Sequence, residues 1–187
     1  MEPMGDAGRL EGMDLAMPAS DELVVGTTAA PAFEAFYAAR RTSIGRALAL
    51  ALGDVDLAAE ATDEAMTRAY ERWSSVALLD RPDGWVYRVA LNWATSVLRR
   101  RKRSHGHVYA REAVDAPAMA EPAVHAALAD LDVKHRSVVV CRHLLGFSVA
   151  ETAAALHVRE GTVKSRLHRA NQTLQARLQH LHEEQQR

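Results

Sequence analysis

Apolar positions along the chain recur at helical spacing in three stretches. The first begins at Phe33, where Phe33, Phe36, Tyr37, Ile44, Ala47, Leu48 and Ala51 predict a helix that breaks at Gly53 and Asp54. Helix then resumes through Trp73. The second runs from about Pro82 to Arg103, with Pro82 and Asp83 suited to a helix start. Val86, Val89, Ala90, Trp93 and Val97 share its apolar arc, while Arg88, Asn92, Thr95, Ser96, Arg99 and Arg103 line the other side. The third holds Val149, Ala153 and Leu156, then Val163, Leu167, Ala170, Leu174 and Leu178. Residues 1–30 lack this periodicity until about Ala32 and contain Pro3, Pro18 and several glycines, so they read as a flexible extension. Met4, Met13 and Met17 also allow a later translation start. Residues 104–122, with His105, Gly106, Pro117 and Pro122, read as a flexible linker. The pattern predicts an all-α chain of two small helical domains, 31–103 and 123–180, with 181–187 as a tail.

Residues 148–170, SVAETAAALHVREGTVKSRLHRA, have the form of a helix-turn-helix. Ser148 and Glu151 stand at capping-box spacing, which starts a helix at Val149. The small Ala153 and Ala154 would let a second helix cross closely above it. The turn falls at His157, where glycine is usual; histidine is among the residues that tolerate the left-handed region. In the following helix Thr162, Ser165, Arg166, Arg169 and Thr173 fall opposite the apolar face. Arginine can bond guanine O6 and N7 bidentately, and serine and threonine serve bases or phosphates. Lys164 and His168 flank that face as phosphate contacts. The competing reading is an ordinary amphipathic helix with a solvated basic face.

A second basic element weakens that alternative. The polar arc leading from Arg88 ends in RRRKR, residues 99–103. Five consecutive cations repel one another unless solvated or set against a polyanion, and nucleic-acid phosphate is the natural partner. A localisation signal or a solubilising run is the alternative for the cations alone. An asparagine-bearing face that leads into them favours DNA.

In these two elements the chain resembles the extracytoplasmic-function sigma factors of bacterial RNA polymerase, members of the sigma-70 family. The resemblance covers about residues 33–178: 33–73 resembles the start of the second sigma domain, 85–103 its promoter-reading helix, and 128–178 the fourth sigma domain. It implies that Asn92 helps read an extruded base of the minus-ten element, flanked by Arg88, Ser96 and Arg99, with Arg100 and Arg103 continuing the DNA-binding face. It likewise implies that Arg159, Thr162, Lys164, Ser165, Arg166 and Arg169 serve minus-35 binding. Trp93, on the apolar arc, reads as structural, and Trp85 at the helix start as packing against the preceding segment.

The chain departs from the family in residues 56–73, which correspond to the helix that grips the polymerase clamp. Where the family commonly has an Asp, a Gln-Glu pair and a Phe, this chain holds Glu60, Asp63 with Glu64, and Met66. Glu60, Asp63 and Glu64 are the polymerase-binding residues the resemblance implies; a solvated acidic face is the alternative. The implied partners are core RNA polymerase, promoter DNA and an anti-sigma factor. No cofactor and no catalysis are expected.

Composition bounds the rest. The 187 residues, 48% hydrophobic, suffice for two small helical domains. A net charge of -1 conceals an asymmetry: residues 1–70 carry -7 and the remainder +6. An acidic front suits a basic polymerase surface and a basic rear suits phosphate. No stretch approaches the roughly 18 apolar residues of a membrane span, nor does the start resemble a signal peptide, so a cytoplasmic chain is expected. The single cysteine, Cys141, excludes an intramolecular disulfide and reads as buried packing. Pairing it with His143 as a nucleophile fails because residues two apart on a helix point about 200° away from each other. His180 and His182 fail as metal ligands on the same ground. The chief alternative function is a stand-alone helix-turn-helix regulator that binds an operator without polymerase, as the 148–170 unit also resembles that of response-regulator-type activators. A third is an anti-sigma-regulated module that has lost promoter binding.

Overall fold

The computed structural model describes residues 29–104 and 122–185. The expected extension, most of the expected linker, and the side chains of Leu178, His180 and His182 lie outside the described residues. Eight helices form there, with no strand: α1 (Ala29–Leu52), α2 (Val55–Glu71), α3 (Trp73–Val76), α4 (Pro82–Ser104), α5 (Pro122–Ala129), α6 (Val133–His143), α7 (Val149–Leu156) and α8 (Glu160–Gln185).

The break after α1 has a simple local cause. Gly53 adopts φ +66, a conformation that side-chain-bearing residues resist, and Asp54 caps α2 by accepting from the Leu57 N–H at 2.9 Å. The predicted helix through Trp73 is interrupted at Arg72, and Trp73 opens the single turn of α3. Ala47, Ala51, Ala58, Ala61 and Ala65 are all buried, so α1 and α2 approach closely, and the buried Thr62 hydroxyl donates to the Ala58 carbonyl. Helix α4 packs across both with Val86, Tyr87 and Ala90.

In the second group α6, α7 and α8 meet around Val138, Ala153 and Val163. Helix α5 packs on α8 through a smaller cluster that includes Leu128 and Ala170. Of the two small residues expected at the crossing, Ala153 is buried and Ala154 is exposed; the buried neighbour is Ala155, which faces α4.

The two groups also pack on each other, a feature the helical periodicity did not announce. Helix α1 lies against α6 and α4 against α7. One continuous core joins Ile44, Leu48 and Tyr87 to Val140, Cys141, Phe147 and Ala155.

Candidate nucleic-acid interface

Helix α4 presents the first candidate surface. Its apolar arc is anchored as the spacing predicts, with Val86, Val89 and Ala90 buried and Trp93 and Val97 packed at the core margin. Trp73 and Trp85 are buried as well. On the opposite side Asn92, Ser96, Arg99, Arg100 and Arg103 are exposed. The Asn92 side chain thus projects from a helix held rigidly from behind, and the Thr95 hydroxyl is spent on the Asn92 carbonyl at 3.0 Å. Arg88 differs from the rest of the row. It is partly buried, and loss of solvent makes its guanidinium less basic than usual.

The helix-turn-helix is built by the capping residues that the sequence marks. The Ser148 hydroxyl accepts from the Glu151 N–H at 3.1 Å, and the Glu151 carboxylate accepts from the Ser148 N–H at 2.6 Å. His157 closes α7 in the left-handed region at φ 52, ψ 49, and its N–H turns back to the last carbonyls of the helix. Arg142 donates to the Phe147 carbonyl and ties the preceding loop to α6. From this base α8 buries Val163 and Ala170, with Leu167 and Leu174 half-covered. Arg159, Lys164, Ser165 and Arg169 are exposed, while Thr162 and Arg166 are partly buried beside them. The Ser165 hydroxyl donates to the Thr162 carbonyl and that of Thr173 to the Arg169 carbonyl.

The three acidic residues on α2 have unequal surroundings. Asp63 accepts two bonds from Arg41, at 2.7 and 3.0 Å, and this pairing raises the Arg41 pKa further. Glu64 pairs with Arg68 one turn on, at 2.6 Å. Glu60 is exposed and makes no ion pair among the described residues. Met66 is buried and packs in the core. Between α1 and α2 a shallow groove is lined by Phe33, Tyr37, Arg41, Asp63, Met66 and Tyr70.

A fourth cluster joins the two groups and was not evident from any one motif. Arg81, just before α4, donates to both oxygens of the buried Asp83 at 2.9 Å and to Glu151 of the capping box at 2.8 Å. Its guanidinium lies 4.3 Å from the centre of the Phe147 ring. A Cβ placed on Gly84 would stand 3.5 Å from the Ala155 Cβ, an ordinary van der Waals contact, which shows how closely α7 packs on the first turn of α4.

Cys141 and Tyr87 sit at this junction. The Tyr87 hydroxyl lies beside Cys141 and Ser137 without a well-formed hydrogen bond, and burial pushes its pKa well above the usual value. Burial likewise pushes the Cys141 thiol up to about 12. His143 is exposed while Cys141 is buried, so the two side chains point apart. Among the described residues no cluster has the makings of a metal site, and no helix is long and apolar enough to cross a membrane.

Comparison with known proteins converges on one family. Residues 122–174 match the family described as Sigma-70, region 4. The chain is 34% identical over 154 residues to an RNA polymerase sigma-E factor of Streptomyces avermitilis, covering 79% of this chain and 85% of that one. It is 35% identical to the sigma-E factor of Streptomyces coelicolor, over 74% of this chain and 81% of the relative. To the ECF RNA polymerase sigma factor SigL of Mycobacterium tuberculosis it is 31% identical, over 69% and 78%. In fold it resembles the sigma factor RpoE of Bartonella quintana, solved with the anti-sigma factor NepR, at a TM-score of 0.71 and 21% identity over 79% of this chain and 97% of that one. The chain with the capped helix-turn-helix and the Asn92 helix thus belongs to the extracytoplasmic-function sigma factors of RNA polymerase, within the sigma-70 family.

Proposed function

We propose that this sigma factor recruits core RNA polymerase to promoters by reading a minus-ten element with α4 and a minus-35 element with α8. The observation that carries this reading is the exposed row Asn92, Ser96, Arg99 and Arg103 on a helix whose other face is locked into the core. An amide at Asn92 can satisfy the polar edge of an extruded base, and the cations beyond it meet the displaced backbone. Capture of that base offsets the few kcal/mol that unstacking costs, which assists melting. Arg88 and Arg100 extend the same surface. Arg159, Thr162, Lys164, Ser165, Arg166 and Arg169 supply the major-groove face, with Arg166 as the candidate base reader.

Glu60, Asp63 and Glu64 form the polymerase-facing patch in this reading. Glu60 meets a clamp cation directly, whereas Asp63 and Glu64 must first exchange Arg41 and Arg68. The domain boundaries follow the same assignment: 31–103 for polymerase and minus-ten binding, 123–180 for minus-35 binding, with 104–122 between them. An anti-sigma factor is a further proposed partner, as one accompanies the Bartonella relative. The chain performs no bond chemistry of its own in this reading.

The test mixes the purified chain with sigma-free core polymerase and measures co-elution and run-off transcription from a promoter library. Co-elution with promoter-specific transcripts is expected. Tight duplex binding by the isolated chain without co-elution would instead identify a stand-alone regulator.

A further inference from the structure

We propose that Asp21, Glu22, Leu23, Val24 and Val25 of this chain dock in the groove between α1 and α2 and compete there with core polymerase. The competition rests on the polymerase-facing patch of the proposed function; the docking does not.

The groove is an apolar surface that the fold leaves open. Tyr70 is 57% exposed and Tyr37 38%. Phe33 packs against both, its ring centre 6.0 Å from that of Tyr37 and 5.1 Å from that of Tyr70. Aromatic rings gathered at the surface in one groove mark a binding site more than scattered ones do. Farther along α1, Arg41 lies 5.8 Å from the centre of the Tyr37 ring and pairs with Asp63, and both members of the pair are exposed.

The chain itself supplies an occupant at the right place. Residues 1–28 precede α1, and Ala29 begins the helix four positions before Phe33, about 6 Å along its axis. Within residues 1–28, Leu23, Val24 and Val25 form the longest run of large aliphatic residues. Such residues favour extended backbone, and Gly26 directly after them permits the reversal that lays the run back along α1.

The register of that run fits the groove. Phe33, Tyr37 and Arg41 stand four apart on one face of α1, a wall about 12 Å long. An extended backbone from Val25 to Asp21 covers about 13 Å. Val25 then meets Phe33 and Tyr70, Leu23 meets Tyr37, and Asp21 reaches Arg41, while Val24 and Glu22 alternate outward. At Arg41 a second carboxylate joins Asp63 on the exposed guanidinium.

Asp63 is at once a wall of this groove and a member of the polymerase-facing patch, and Thr67 lines the groove one turn on. A segment lying there covers Asp63 from the solvent side, so core polymerase must displace it. A docking constant of about ten would leave roughly one chain in eleven open and weaken the apparent affinity for core about tenfold.

Two measurements on the full chain test the proposal. In the first, p-benzoylphenylalanine replaces the exposed Thr67, the chain is irradiated, and the attachment site is located by mass spectrometry. Crosslinks to residues 21–25 of the same chain are expected, and Leu23→Ser with Val25→Ser should abolish them. No crosslink to those residues, or crosslinks only to a second chain, would overturn the docking. In the second, surface plasmon resonance compares core binding by the parent chain and by Leu23→Ser with Val25→Ser. The double variant should bind core about tenfold more tightly, and saturating core should suppress the crosslink in the parent. Equal affinities would overturn the competition. A parent chain that binds no core would remove the polymerase reading and the competition with it, and the crosslinks alone would then decide the docking.

Discussion

Arg166 and Asn92 carry the sharpest expectations at the scale of single residues. If Arg166 bonds a base edge, Arg166→Ala should weaken promoter binding by about 1 to 3 kcal/mol at one position of the minus-35 element and relax preference there. Affinities measured across a set of single-base variants check this; a uniform loss would mark a phosphate contact. Asn92→Ala should lower run-off by a similar factor while leaving co-elution with core polymerase intact, because Asn92 is exposed on α4 whereas the polymerase-facing carboxylates of the proposed function stand on α2. Equal loss of both activities would remove its assigned role. Cys141 leads to an expectation of the opposite kind. With its pKa pushed up to about 12, only about one thiol in ten thousand is ionised at pH 8, and it is buried besides. Iodoacetamide should leave it unmodified by mass spectrometry in native buffer and alkylate it in guanidinium. Rapid native labelling would show that the junction around Tyr87 opens freely.

At the scale of elements, His157 shows how local chemistry sets a turn. Its φ of 52 costs a β-branched residue dearly and glycine almost nothing. His157→Gly should therefore be neutral or stabilising by up to about 1 kcal/mol, and His157→Val destabilising by about 1 to 2 kcal/mol. Denaturant midpoints at constant m-value measure both; a stable valine variant would mean that the turn rearranges at no cost. This helix-turn-helix was legible in the sequence because each of its signals is local: Ser148 and Glu151 three apart, a tolerant histidine at the turn, apolar residues at helical spacing after it. Helix α4 was legible for the same reason, from Pro82 to the cations that end it. The break at Arg72 was not, because no glycine or proline marks it and Trp73, Ser74, Ser75 and Val76 are only mildly unfavourable to helix; the single turn of α3 places Trp73 against Phe33 and Phe36. The exposure of Ala154 in place of Ala155 is a rotation of one residue, finer than alanine spacing can specify.

On the scale of the molecule, the contact between the groups was hidden because its members lie far apart in sequence and each reads as ordinary. Phe147 looks like a loop residue, Gly84 like a weak helix position and Glu151 like a cap. Only the fold shows that Glu151 serves twice, capping α7 and holding Arg81 across the junction. That double role gives the whole chain a pH dependence. The Ser148 backbone N–H, then its hydroxyl, then Arg81 hold the Glu151 carboxyl below its usual range. A folded value under the unfolded one contributes stability that is complete above the ordinary carboxylate range, about pH 4.3, and is lost as pH falls through the folded value. Glu151→Gln keeps a side chain able to complete the capping box and removes only the charge. Denaturant midpoints of the two proteins should therefore differ near neutral pH and converge below about pH 4. Parallel stability curves down to pH 3 would show that the negative charge at 151 adds nothing to the stability of the fold.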